Sequence, residues 1–260
     1  MENKGYRQVI GNPRAPYTNA LARRYGLATR FFGVSHPSLP NYLALTAGST
    51  LGVSHDCTNC HFDGRNLATQ LDAAGLSWKA YAAGVPGRCY QGARAPGYRK
   101  ALNPFVYFES VTHDPELCSR IVPMKGLNAD LRGGSLPAFS WITPSLCDDT
   151  HHCGVAAGDR YLARLVPSLL RGLGPRGALF LLWDEGTSNR GCCGRPGGGR
   201  VPAIVIGPDV RSHAQTQASL NDYSVLRTLE SGFELRPLGH AKAANSHALA
   251  SLFSRPLDLG

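Results

Sequence analysis

The stretch Ala28-Thr-Arg-Phe-Phe-Gly-Val34-Ser-His-Pro-Ser38-Leu-Pro40-Asn41-Tyr-Leu-Ala-Leu-Thr-Ala47 decides the fold. Ala28–Val34 is rich in apolar, β-branched and aromatic residues and predicts a strand. A short polar turn follows, and Leu39–Ala47 reads as a helix with Pro40 in its first turn, where the missing N–H costs nothing. The same alternation recurs along the chain. Ser77–Tyr81, Phe139–Thr143, Leu179–Trp183 and Val201–Ile206 predict strands, and Tyr17–Tyr25, Asn66–Ala74, Asp159–Leu173 and Asp222–Phe233 predict helices. Strands alternating with helices predict an α/β fold with a mostly parallel central sheet and helices on both faces. The Gly-rich stretch Gly186–Arg200 is a loop rather than a linker, so residues 1–260 read as a single domain.

Composition bounds the possibilities. Of the 260 residues, 43% are hydrophobic and 17% charged, which supports a packed core and excludes general disorder. No run approaches the roughly 20 apolar residues needed to span a bilayer. The net charge of +9 favours anionic partners. Its arginines are dispersed and no nucleic-acid reader motif is present, so nucleic acid is not expected among them. Eight cysteines stand at 57, 60, 89, 118, 147, 153, 192 and 193. Scattered and even in number, they read as disulfides of an oxidising compartment, with Cys147–Cys153 a natural short bridge. Cys57 and Cys60 pair with each other or with partners elsewhere. A zinc ribbon would need a second Cys-x-x-Cys, and Cys192-Cys193 is not one. The opening Met1-Glu2-Asn3-Lys4-Gly5 carries no basic and apolar leader.

Ligands of open α/β sheets bind beyond the carboxyl ends of the strands. Ser35–Asn41 follows the first strand, Asp148, Asp149, His151 and His152 follow Thr143, and Asp184 and Glu185 follow Trp183. Hydroxyl, imidazole and carboxylates thus gather on one rim. Adjacent carboxylates suit a hard divalent cation, although the plain alternative is a solvated loop. Ser38 is either a helix N-cap or, at the positive end of the helix, a nucleophile beside a phosphate site. Asn41 lies on the same helix face and could donate its amide to a phosphoryl oxygen.

His36-Pro-Ser38-Leu-Pro40-Asn41-Tyr42-Leu43 resembles the Ser/Thr-x-Pro-Asn nucleophile segment of the alkaline-phosphatase-like superfamily. Met1-Glu2-Asn3, Ser35–Leu43, Asn103–Phe108, Cys147–His151, Gly158-Asp159 and Trp183–Gly186 follow in the order of one bacterial phosphoesterase family. That family contains secreted acid phosphatases, phosphatidylinositol-3-phosphatases and phospholipases C. The resemblance implies a metal-dependent phosphomonoester hydrolase of the acid phosphatase or phosphatidylinositol-3-phosphatase kind, working through a phosphoserine. It assigns Glu2, Asn3, Asp184 and Glu185 to one divalent metal cation. Ser38 becomes the nucleophile, with Asn41 holding the phosphoryl group and His151 assisting the leaving group or water. His36 and Asp149 line the substrate pocket. The implied partner is a phosphorylated small molecule or phosphoinositide, with peripheral contact to anionic lipid, for a monomer that is secreted or extracytoplasmic in its full-length form. The alternatives are a phospholipase C-type phosphodiesterase on the same site, or a non-catalytic remnant or basic anion-binding protein. Three departures stand out. Relatives carry an apolar strand before Met-Glu-Asn, so the chain is expected to be truncated and to lack its first strand. Lys100-Ala101-Leu102 holds no His before Asn103, and Asp222 stands where relatives often have His.

Overall fold

A computed structural model of the chain describes residues 1–193, 197–244 and 247–259, and the expected strands form in it with small shifts at their ends. Gly26–Phe32, Trp78–Ala82, Phe139–Thr143, Leu179–Leu182 and Arg200–Ile206 are the main strands. Ile121–Pro123, three residues long, was not expected, being too short to show a period. The first strand ends before Gly33 because side chains replace its ladder partner: the Val34 N–H donates to Asn41 Oδ1 at 2.8 Å and to Asp222 Oδ2 at 3.1 Å.

The strands sort into two main sheets. One runs Leu220–Asn221, Gly26–Phe32, Arg200–Ile206, Leu179–Leu182, with Gln215–Thr216 also on Gly26–Phe32; the other runs Ile121–Pro123, Trp78–Ala82, Phe139–Thr143. Pairing is parallel except along Arg200–Ile206, which is antiparallel to both neighbours. That strand returns from Leu179–Leu182 through the Gly-rich loop, and only a crossover helix would have allowed a parallel return. Helix Ser38–Ala47 has every residue buried and packs against helix Asp222–Gly232. No described helix is long and apolar enough to cross a membrane.

Helix Val155–Gly172 starts four residues ahead of the expected Asp159. Asp159 is occupied elsewhere: its carboxylate accepts the N–H groups of Tyr17 and Thr18 at 3.1 and 2.7 Å, holding the start of helix Pro16–Arg24. All eight cysteines pair, as Cys57–Cys60, Cys89–Cys118, Cys147–Cys153 and Cys192–Cys193. Lys100 opens the short turn Lys100–Leu102, the segment before Asn103 that carries no His. It is buried, its ammonium donates to Thr58 O at 2.9 Å, and it sits 4.7 Å from the Tyr107 ring centre.

Candidate active site

Three loops at the carboxyl ends of strands, together with the N-terminal segment, deliver the polar cluster, and each is fixed by a local device. Ser38 opens its helix but does not cap it. Asp56, beside the Cys57–Cys60 bridge, accepts the Leu39 N–H at 2.9 Å. The Ser38 hydroxyl is thereby released to face the carboxylates, donating to Glu2 Oε2 at 3.1 Å and reaching Glu185 Oε1 at 3.5 Å. Asn41 braces the turn: Oδ1 accepts from Val34 and Ser35, and Nδ2 donates to Ser35 O and Pro37 O. Its amide is spent on the loop, so in this arrangement it positions Ser38 rather than offering a free donor.

Asp184 and Glu185 follow the Leu179–Leu182 strand and are buried. Gly33 lets this segment come close, because a Cβ there would stand 2.5 Å from Asp184 O. Glu185 takes Asn3 Nδ2 and Ser38 on Oε1, and His36 Nδ1 on Oε2. Glu2 is also buried and is held by Tyr42, whose hydroxyl donates to Oε1. Asp149 and His151 lie inside the loop closed by Cys147–Cys153, whose cysteines are six positions apart. Within it Thr150 adopts φ 82°, a strained choice for a β-branched residue. That turn lets Thr150 Oγ1 donate to Glu2 O at 2.7 Å and accept from Trp183 Nε1 at 3.1 Å. Gly158 makes room beneath, since a Cβ would meet Thr150 Cγ2 at 2.3 Å. Asn3, at φ 50°, is the second strained residue of the site.

The electrostatics follow from crowding acids out of water. Burial, then the charge of Asp184, holds the Glu2 carboxyl well above its ordinary range. Asp184 is raised chiefly by burial, and Glu185 by burial and by Asp184. Asp149 is pushed up to about 6, mainly by burial. His151 moves the other way: burial, then Arg99, His152 and Lys4, lower its imidazole. Several buried atoms have no partner, namely Asn3 Oδ1, Asp149 Oδ2, Asp184 Oδ2, Asp222 Oδ1 and His151 Nδ1. Among the described residues, no three His, Cys, Asp or Glu side chains stand ready-made around one ion position. The orphaned oxygens and the repulsion among Glu2, Asp184 and Glu185 nevertheless fit a hard cation, which takes oxygen ligands and relieves both.

All nine residues singled out in the sequence converge here: Glu2, Asn3, His36, Ser38, Asn41, Asp149, His151, Asp184 and Glu185. Three others escaped. Tyr42 lies one helical turn beyond Ser38, a spacing that could have found it. Asp222 was marked in the sequence only as a departure from relatives, and the strand it follows, Leu220–Asn221, is too short to read in advance. Thr150 announced itself only through its backbone.

Residues 9–236 match the Phosphoesterase family. A phosphatidylinositol-3-phosphatase of Mycobacterium tuberculosis is 30% identical over 249 residues, which cover 94% of this chain and 78% of that protein. A phosphate-repressible acid phosphatase of Penicillium chrysogenum is 29% identical over 230 residues, 84% of this chain and 54% of the fungal protein. The chain thus spans only about half of that fungal relative. Among solved structures, a Vibrio parahaemolyticus protein in the alkaline phosphatase superfamily superposes with TM-score 0.61 at 15% identity, over 90% of this chain and 65% of the other. At that identity the likeness speaks for the fold, an alkaline-phosphatase-like α/β arrangement. With the family matched across most of its length, the chain belongs to the phosphoesterase family.

Proposed function

We propose that the chain hydrolyses phosphomonoesters through a phosphoserine on Ser38. Family membership already carries the coarser statement, hydrolysis of phosphoric esters. The observation that carries the finer one is the Ser38 hydroxyl, relieved of capping by Asp56 and aimed at the Glu2 and Glu185 carboxylates.

Ser38 Oγ attacks phosphorus while its proton passes towards the Glu2 carboxylate, which accepts its hydrogen bond at 3.1 Å. The bond from phosphorus to the leaving oxygen breaks, and that oxygen takes a proton from solvent and departs as the alcohol, while the serine proton stays on Glu2 until the serine oxygen is freed and recovers it. Water then attacks the phosphoserine, restoring the hydroxyl and releasing phosphate. His151, held below its ordinary value, is largely neutral near pH 7, and its buried Nδ1 has no partner. It is the acceptor for the proton of that water. Glu2, Asn3, Asp184 and Glu185 would hold a divalent cation. Bound there, the cation would lower the pKa of the hydroxyl and offset the charge developing on the phosphoryl oxygens. Asn41 keeps Ser38 in place, and His36 orients Glu185.

The cations Arg99 and Lys4 lie close enough to depress His151, so the mouth favours an anionic substrate. Phosphoinositide headgroups and small phosphomonoesters both fit that description. Four disulfides favour an oxidising compartment outside the cytosol. The test is turnover of a chromogenic phosphomonoester before and after exhaustive chelation, with cations added back one at a time. Reversible loss is expected; full activity after chelation would remove the cation from the reading.

A further inference from the structure

The Lys100 ammonium is buried and has no carboxylate partner among the described residues. Burial lowers its pKa from the ordinary lysine value. A buried charge without a counter-ion costs stability, and an apolar side chain of similar length would avoid that cost. The charge instead holds a loop. Its hydrogen bond goes to Thr58 O at 2.9 Å, inside the ring that the Cys57–Cys60 bridge closes. A bond from a charged donor is roughly twice as strong as a neutral one. Tyr107 grips the same ring one residue earlier: its hydroxyl donates to Cys57 O at 2.7 Å, and the ammonium stands over its aromatic face. Where the loop leaves, the Phe62 N–H donates to Tyr107 O at 2.8 Å.

The residue just before this ring is Asp56, the acceptor of the Leu39 N–H that leaves the Ser38 hydroxyl to Glu2 and Glu185. A short ring closed by a disulfide has little freedom, so fixing Cys57 O and Thr58 O also fixes where Asp56 sits. The turns Lys100–Leu102 and Pro104–Tyr107, which carry the two gripping side chains, both pack against helix Ser38–Ala47. Loop and helix are therefore aligned on one platform.

We infer that Lys100 is a positioning residue: with Tyr107 it holds the Cys57–Cys60 loop so that Asp56 takes the Leu39 N–H and Ser38 is left free to react. The inference rests on Ser38 being the nucleophile, but the alignment of Asp56 can be measured without turnover.

The test is a double-mutant cycle on Lys100→Met and Asp56→Ala, read by kcat and KM on a chromogenic phosphomonoester and by hydrogen exchange of the Leu39 amide. Each single variant should lower kcat about 10–100-fold, as small misplacements of a reacting group do, with KM little changed and faster Leu39 exchange. The double variant should be no slower than Asp56→Ala alone, because once Asp56 is gone the grip has nothing to align. If Lys100→Met does not fold, Tyr107→Phe, which loses only the hydroxyl, replaces it in the same cycle with the same non-additivity expected. Full kcat in the folded Lys100→Met enzyme, whatever its melting temperature, would overturn the inference. So would effects of the two substitutions that multiply, since a lysine that only supports the fold acts independently of Asp56. Turnover retained by Ser38→Ala would be a separate failure, of the nucleophile. Leu39 exchange would then still decide the alignment, and an unchanged rate in Lys100→Met would refute it.

Discussion

The apolar cavity and the carboxylate rim meet at Met1, and they are unsatisfied in opposite ways. Below Met1, a cavity of about 530 Å³ lies between Leu179–Leu182 and Phe139–Thr143, whose facing edges pair with no other strand among the described residues. Above it, Glu2, Asp184 and Glu185 are buried side by side, and the Met1 amine and His36 only partly offset their crowding, so all three carboxyls stay raised. The deficit below is in contacts and should be read out in stability. The deficit above is in charge and should be read out in activity, with stability held down by the crowding. Glu2 and Asn3 belong to both regions.

The sharpest way to break this division is at the rim. Ser38→Ala should reduce turnover of a chromogenic phosphomonoester by about a thousandfold or more, with an unchanged melting curve. A large fall in melting temperature would make Ser38 a structural residue. In the cavity the contrast is between neighbouring strands. Ile204, fully buried in a strand paired on both edges, should cost about 2–5 kcal/mol as Ile204→Ala. Leu182→Ala, at the open edge, should cost markedly less, as measured by denaturant unfolding; equal costs would mean that the cavity walls are already well packed. Tyr42→Phe removes the hydroxyl that holds Glu2 and should lower metal affinity or activity by about 10–100-fold, measured by calorimetric metal titration beside turnover. Asp184→Asn should separate the two readouts, raising the melting temperature of the chelated protein while weakening metal binding. A lower melting temperature would show that the repulsion is not destabilising.

The smallest effect lies away from both regions and serves as a control on the sign of the pH dependence. Glu230 is buried, accepts the Leu238 N–H at 2.7 Å and is raised by burial from 4.5 to about 7. The folded state holds this proton more tightly than the unfolded chain. Its contribution to stability is therefore complete below about pH 4.5 and lost as pH rises through about 7. Glu230→Gln should flatten that part of the stability curve and leave turnover unchanged, as followed by melting temperature against pH.

Long elements were legible because their periods are strong: Phe139–Thr143 forms to the residue, and helix Asp222–Gly232 ends one residue short of expectation. Ile121–Pro123 and Leu220–Asn221 were not, because strands this short carry no period and form only when a neighbour supplies the edge. At the rim, the residue following each strand pointed to Ser38, Asp149, His151, Asp184 and Glu185 unaided. Glu2 and Asn3 came only through the family resemblance, since nothing local distinguishes them from a frayed terminus. The release of Ser38 from capping could not be read at all. It depends on Asp56, which is seventeen positions away from the Leu39 N–H that it holds.

The central claim is that Ser38 carries the phosphoryl group, and trapping tests it most directly. The enzyme is mixed with a phosphomonoester, quenched in acid within a turnover, digested and mapped by mass spectrometry. The account predicts one phosphoryl group on the peptide containing Ser38, absent from Ser38→Ala. Full turnover by Ser38→Ala, with no phosphopeptide in either protein, would contradict it.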